Sequence, residues 1–138
     1  MRPAILLYPR PLLAVGSLWI SSGTMPVTLT FQNQGMLTET VTAQVNIPDG
    51  LVYQTGSATG PGTPPAYQSA THTLTWVGPL ADGQKVTLGF LVAPKPGFPS
   101  SKVSLSALVT GSISGQFWLV SQDIGVNMYG FILPYIRR

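Results

Sequence analysis

Cysteine is absent from all 138 residues, which excludes disulfides, thiolate metal sites and cysteine nucleophiles. Histidine occurs once, at His72, so no multi-histidine metal centre can be assembled. The acids are four and dispersed: Glu39, Asp49, Asp82 and Asp123. A calcium site needs several clustered oxygen ligands, and this spacing does not supply them. Asp49 and Asp82 each precede a glycine, the place where Asp favours a turn through local backbone hydrogen bonds. Charge is scarce overall, at 8% of residues against 44% hydrophobic. Lys85, Lys95 and Lys102 are scattered and Arg2, Arg10, Arg137 and Arg138 lie at the ends. Nucleic-acid binding calls for clustered cations with interleaved aromatics, so no nucleic-acid partner is expected. No run of 18 apolar residues exists, and no membrane-spanning helix is expected. No P-loop, Rossmann or nucleophile-elbow spacing is present. These absences together predict a protein that is not an enzyme and holds no metal or cofactor.

What is abundant is the vocabulary of strands and turns: Thr, Val and Ser, with 15 Gly and 13 Pro. Val27, Leu29 and Phe31 alternate with Thr28, Thr30 and Gln32, and Val41, Ala43, Val45 and Ile47 alternate with Thr42, Gln44 and Asn46. This two-residue period is that of a half-buried strand. Pro48-Asp49-Gly50 ends the second strand, and Leu51-Val52-Tyr53 begins another. Residues 57–71 read as a long loop, 72–77 as a strand with Leu74 and Trp76 on one face, and 78–84 as a turn. Further strands follow over 85–93, with Val86, Leu88, Phe90 and Val92 inward, and over 102–110, with Val103, Leu105, Ala107 and Val109 inward. The turns recur at the intervals of a β-sandwich, and the fold class expected is all-β, an Ig-like sandwich of about seven antiparallel strands.

The centre of the chain, roughly residues 25–110, resembles a repeat domain of prokaryotic surface proteins, the family called domain of unknown function 11. Val27 to Gly35 is similar to its strand followed by Asn-x-Gly. Ile47-Pro48-Asp49-Gly50-Leu51 is similar to its leucine-proline-x-glycine-leucine corner, and Gly56 to Thr59 and Thr73 to Trp76 to its next landmarks. Gly78 to Leu88 is similar to its turn into a strand. The resemblance implies an Ig-like fold, a place on the cell surface or in an extracellular filament, and no catalytic residues. It departs in being a single copy and in lacking the Asn-rich closing strand after Thr110.

Both ends are unusually apolar for the ends of a domain. Residues 1–11 are read as an extended N-terminal segment of the mature molecule, since Pro9-Arg10-Pro11 breaks the apolar stretch that a signal peptide requires. Residues 12–138 form the sandwich with its C-terminal strands. An unattached apolar strand is an aggregation hazard unless it has an edge or groove to occupy. Ala4, Ile5, Leu6, Leu7 and Tyr8 are therefore candidate donor-strand residues that insert into a neighbouring copy. Each buried apolar side chain of such a segment gains about 1.5–3 kcal/mol. Phe131, Ile132, Leu133 and Tyr135 are a possible second interface. Such contacts are heterologous and build an open filament. The function expected is a structural, self-polymerising subunit of an extracellular pilus-like filament, glycans being possible further partners. The alternative is an adhesive or carbohydrate-binding module of a larger surface protein, for which Trp19, Trp76 and Trp118 are stacking candidates. A covalent Lys–Asn cross-link is a minor possibility, drawing on Lys85 or Lys102, on Asn33, Asn46 or Asn127, and on Glu39 or Asp123.

Overall fold

A computed structural model of the chain describes residues 11–33, 38–112 and 117–127. These carry ten strands and no helix: β1 (Leu12–Val15), β2 (Trp19–Ile20), β3 (Met25–Gln32), β4 (Glu39–Asn46), β5 (Leu51–Tyr53), β6 (Ala66–Gln68), β7 (Thr73–Leu80), β8 (Lys85–Pro94), β9 (Ser101–Gly111) and β10 (Phe117–Val126). They form two sheets, a four-stranded one in the order β1-β3-β8-β5 and a six-stranded one in the order β2-β10-β9-β4-β7-β6. This is the all-β sandwich that the alternation of apolar and polar residues predicts. The segments holding Ala4 to Tyr8 and Phe131 to Tyr135 lie outside the described residues.

The inward faces are those read from the sequence. Val27, Leu29 and Phe31 of β3 face Val41, Ala43 and Val45 of β4 across the core, joined by Val86, Leu88, Phe90 and Val92 of β8 and Leu105, Ala107 and Val109 of β9. Trp76 is buried, with its ring edge-on to Phe31 at 5.8 Å. Trp76 and Gly78 are two apart on β7 and share its inner face. The indole occupies the space a side chain at Gly78 would need, since a Cβ there would stand 2.6 Å from the ring.

Three details differ from the sequence reading. Strand β7 runs on through Gly78-Pro79-Leu80, where a turn was expected. Pro79 is tolerated because β6 pairs only with Thr73–Thr75 and leaves that side of the strand without a neighbour among the described residues. The long loop contains a strand, β6, and is pinned twice more. Thr59 and Gly89 exchange backbone hydrogen bonds of 2.7 and 3.0 Å, and the Trp76 Nε1–H donates to the Pro61 carbonyl at 3.1 Å. His72 does not begin a strand but ends the four-residue turn between β6 and β7, with φ of 55°.

The N-terminal strand is divided between the sheets. β1 pairs antiparallel with β3; the chain then crosses at Gly16–Leu18, and β2 pairs parallel with β10. Following strand directions places most of the described loops at one of two poles, the segment between β5 and β6 being an exception, since Thr59 pairs with Gly89 in the middle of β8. The lower pole carries Asn33, Leu80–Gln84 and the start of β10; the upper pole carries Ser21–Met25, Ile47–Gly50, Ser69–His72, Lys95–Ser100 and Asn127. Pro11 precedes β1 in the lower half, since Leu12 stands opposite Thr30, while Asn127 leaves β10 at the upper pole.

Candidate assembly surface and polar cleft

Strand β10 completes the six-stranded sheet from within the chain, pairing with β9 over ten positions from Phe117↔Thr110 to Val126↔Ser101. Along β10 the inward residues include Val120, Ile124 and Val126, so Phe117 and Leu119 point outward and are 65% and 61% exposed. Leu12 (63%) on β1 and Leu18 and Trp19 at the crossover are exposed too. Five of the seven large exposed hydrophobics of the described residues thus sit on the terminal strands and their crossover, and only Val52 and Val77 lie elsewhere. Leu12 projects from the outer face of the four-stranded sheet and Phe117 and Leu119 from that of the six-stranded sheet, all on the side where β1, β2 and β10 lie. A furrow of about 290 Å³ runs here between Pro11–Leu13 and Val120–Gln122.

The opposite side is closed differently. There the edge strands β5 and β6 meet, and Tyr53 of one stacks on Tyr67 of the other with ring centroids 4.6 Å apart. At the upper end of this seam four polar side chains from separate parts of the chain converge. The Lys95 ammonium donates to Asp49 Oδ1 at 2.9 Å, and the Tyr67 hydroxyl is 3.1 Å from His72 Nδ1. Together with Pro48, Leu51 and Val52 they line a cleft of about 160 Å³. The hydrogen bond and charge of Lys95 hold the Asp49 carboxyl below its ordinary value of 3.8. Lys95 also borders a larger cleft of about 540 Å³ between the Ser21–Gly23 turn and the Pro94–Ser100 loop.

Asp49 and His72 were legible singly, as a turn acid and a lone histidine. Their meeting with Tyr67 and Lys95 was not, because the β6–β7 hairpin that holds Tyr67 and His72 and the β5–β8 pair that Asp49 and Lys95 flank belong to different sheets. The Lys–Asn cross-link is not assembled. Asn33 is buried and donates through Nδ2 to the Leu80 carbonyl at 2.9 Å, and Glu39 is buried opposite Leu80. Lys85, however, lies on the outer face of β8. Lys102 is exposed and 3.8 Å from an exposed Asp123, and Asn127 Nδ2 donates to the Phe98 carbonyl. Of the tryptophans, Trp76 is core, while Trp19 stands outward opposite Gly125. No group of His, Asp and Glu among the described residues is arranged to hold a metal ion, and no helix there is long and apolar enough to cross a membrane.

No protein-family model matches the chain, and no curated protein matches it in sequence. Its fold is shared with solved structures. A cohesin module from a Clostridium perfringens family 33 glycoside hydrolase superposes with a TM-score of 0.58 at 13% identity, covering 91% of this chain and 98% of the module. The full-length major pilin SpaD of Corynebacterium diphtheriae gives 0.54 at 14% identity, over 83% of this chain and 33% of the pilin. The collagen-binding domain of a Staphylococcus aureus adhesin gives 0.52 at 8% identity, over 81% and 94%. The chain has the Ig-like β-sandwich of pilin and adhesin domains. At such low identity the likeness shows the fold alone.

Proposed function

We propose that the chain is a structural, non-enzymatic subunit of an extracellular pilus-like filament, growing head to tail as Ala4–Tyr8 of one copy pair with the next. The observation that carries this reading is the bipolar path of the chain. Pro11 lies in the lower half of the body and Asn127 at its upper pole, and the strands next to them present Leu12, Trp19, Phe117 and Leu119 to solvent. A contact between opposite ends of identical bodies is heterologous, and it extends into a fibre when the rotation from copy to copy does not close a ring. The resemblance of residues 25–110 to the surface-protein repeat family supports an extracellular place, as does a surface carried by Ser, Thr and Gln rather than by charge. The fold shared with pilin and adhesin domains is compatible with both. The receiving position differs from a sandwich that lacks its last strand, because β10 already fills that place. The donated segment therefore adds to an edge or furrow of a completed body.

The test is electron microscopy of the purified full chain beside a variant lacking residues 1–11, with light scattering for mass and a thermal melt for folding. Regular filaments from the full chain and a folded monomer from the truncation are expected. A full chain that stays monomeric at high concentration, or a truncation that no longer folds, overturns the reading.

A further inference from the structure

Beyond assembly, we propose that the cleft formed by Asp49, Tyr67, His72 and Lys95 is a binding site for a single neutral sugar ring, a free hexose or one residue of a glycan.

The site is built rather than incidental. The turn between β6 and β7 closes with a residue at φ of 55°, a conformation that glycine adopts without strain and other residues adopt rarely. His72 holds it, its carbonyl accepting from the Ile47 N–H at 2.9 Å and its ring fixed against the Tyr67 hydroxyl. Tyr67 is fixed in turn by its stack on Tyr53. Opposite, the Lys95 N–H donates to the Gly50 carbonyl at 2.8 Å and the Lys95 carbonyl accepts from Phe98 N–H at 3.1 Å, so the ion pair springs from a braced loop. Pre-set side chains reduce the ordering cost of binding.

The chemistry of the lining selects the ligand. Asp49 and Lys95 neutralise one another, so neither a simple cation nor a simple anion has a net field to follow. What remains is capacity for hydrogen bonds of both senses along one cleft. The second carboxylate oxygen of Asp49 accepts, the Lys95 ammonium has further N–H groups, and the His72 ring has its other nitrogen. Vicinal hydroxyls, each a donor and an acceptor, match such a set. Pro48, Leu51 and Val52 give the cleft one hydrocarbon wall, which suits the C–H face of a pyranose. At about 160 Å³ the space is below the ~300–1,000 Å³ of drug-sized sites and takes one ring, not a peptide helix or a nucleotide.

Saturation-transfer NMR on the full chain reads this whether the protein is monomeric or filamentous, so its outcome is independent of the assembly reading. The probes are the methyl glycosides of glucose, galactose, mannose and N-acetylglucosamine, with inorganic phosphate as competitor. The expected result is a saturable signal from at least one glycoside, with Kd of about 1–10 mM, as few hydrogen bonds in an open cleft provide. His72→Gly keeps the turn, since glycine accepts the positive φ, and Asp49→Asn keeps the size of the side chain. Each should weaken binding at least about tenfold while the melting curve stays cooperative, and Asp123→Asn on the far side should change nothing. The proposal is overturned if no glycoside gives a saturable signal, if the signal survives both cleft variants, or if phosphate displaces the sugar.

Discussion

The packing of Trp76 over Gly78 is open to a quantitative test by a double-mutant cycle. Gly78 lies on a strand without positive φ, so Gly78→Ala should gain about 0.4–1 kcal/mol through the unfolded state if the side chain had room. It has none: the new Cβ would stand 2.6 Å from Cζ2 and 2.8 Å from Cη2 of Trp76. The indole cannot swing aside, being held edge-on to Phe31 and by its Nε1 bond to Pro61. Overpacking of a rigid core group costs about 1–3 kcal/mol, so Gly78→Ala should lower stability by roughly 2 kcal/mol, or about 6–12 °C in Tm for a chain of this size. Trp76→Phe removes the atoms that collide. In that background Gly78→Ala should be neutral or slightly stabilising, giving a favourable coupling of about 1–3 kcal/mol. Urea titration of the four proteins by circular dichroism measures all the terms, with an unchanged m-value as the check on folding. If Gly78→Ala costs the same with Phe at position 76, the collision is not the cause and the packing described for β7 is wrong.

Three further outcomes follow from other contacts. Asn33→Ala removes the donor to the buried Leu80 carbonyl and should cost about 1–3 kcal/mol in urea titration. The Asp49 carboxyl is lowered by Lys95, so the folded state binds a proton there less readily than the unfolded one. Its small, salt-screened contribution to stability is present above the ordinary value of 3.8 and is lost as the pH falls below it. The fall in urea midpoint across this acid range should therefore be smaller in Asp49→Asn. All three lysines, Lys85, Lys95 and Lys102, are exposed, so the intact mass of the purified chain should show no loss of ammonia from a Lys–Asn cross-link.

The body of the sandwich was legible because its strands are half-buried, and burial of one face writes itself as alternation. Val27–Phe31, Val41–Ile47, Val86–Val92 and Leu105–Val109 were each placed inward by period alone, and the structure agrees. Where a strand carries no alternation the sequence is mute. β6 is three residues behind Pro64-Pro65, and only its pairing with Thr73–Thr75 makes it a strand. The Gly78-Pro79 pair has the composition of a turn, and β4 overrides it by pairing through Leu80. The cleft was illegible for a related reason. Tyr67 and His72 share one hairpin and Asp49 and Lys95 flank one strand pair, but nothing local ties the first pair to the second until the edges of the two sheets meet. The apolar ends were conspicuous in the sequence, and the structure sharpens what surrounds them by filling the last strand position with β10.

The divided first strand also has a mechanical meaning. Tension applied through Pro11 and Asn127 would draw β2 and β10, which run parallel, past one another along their length. The bonds from Gly125 N–H to the Leu18 carbonyl (2.8 Å) and from Asn127 N–H to the Ile20 carbonyl (2.9 Å) lie across that pull. They would be loaded together instead of being unzipped one at a time, and the four-residue pairing of β1 with β3 would share the strain. A pull on Pro11 and Asn127 would thus be resisted at the strands next to them, not in the middle of the sandwich.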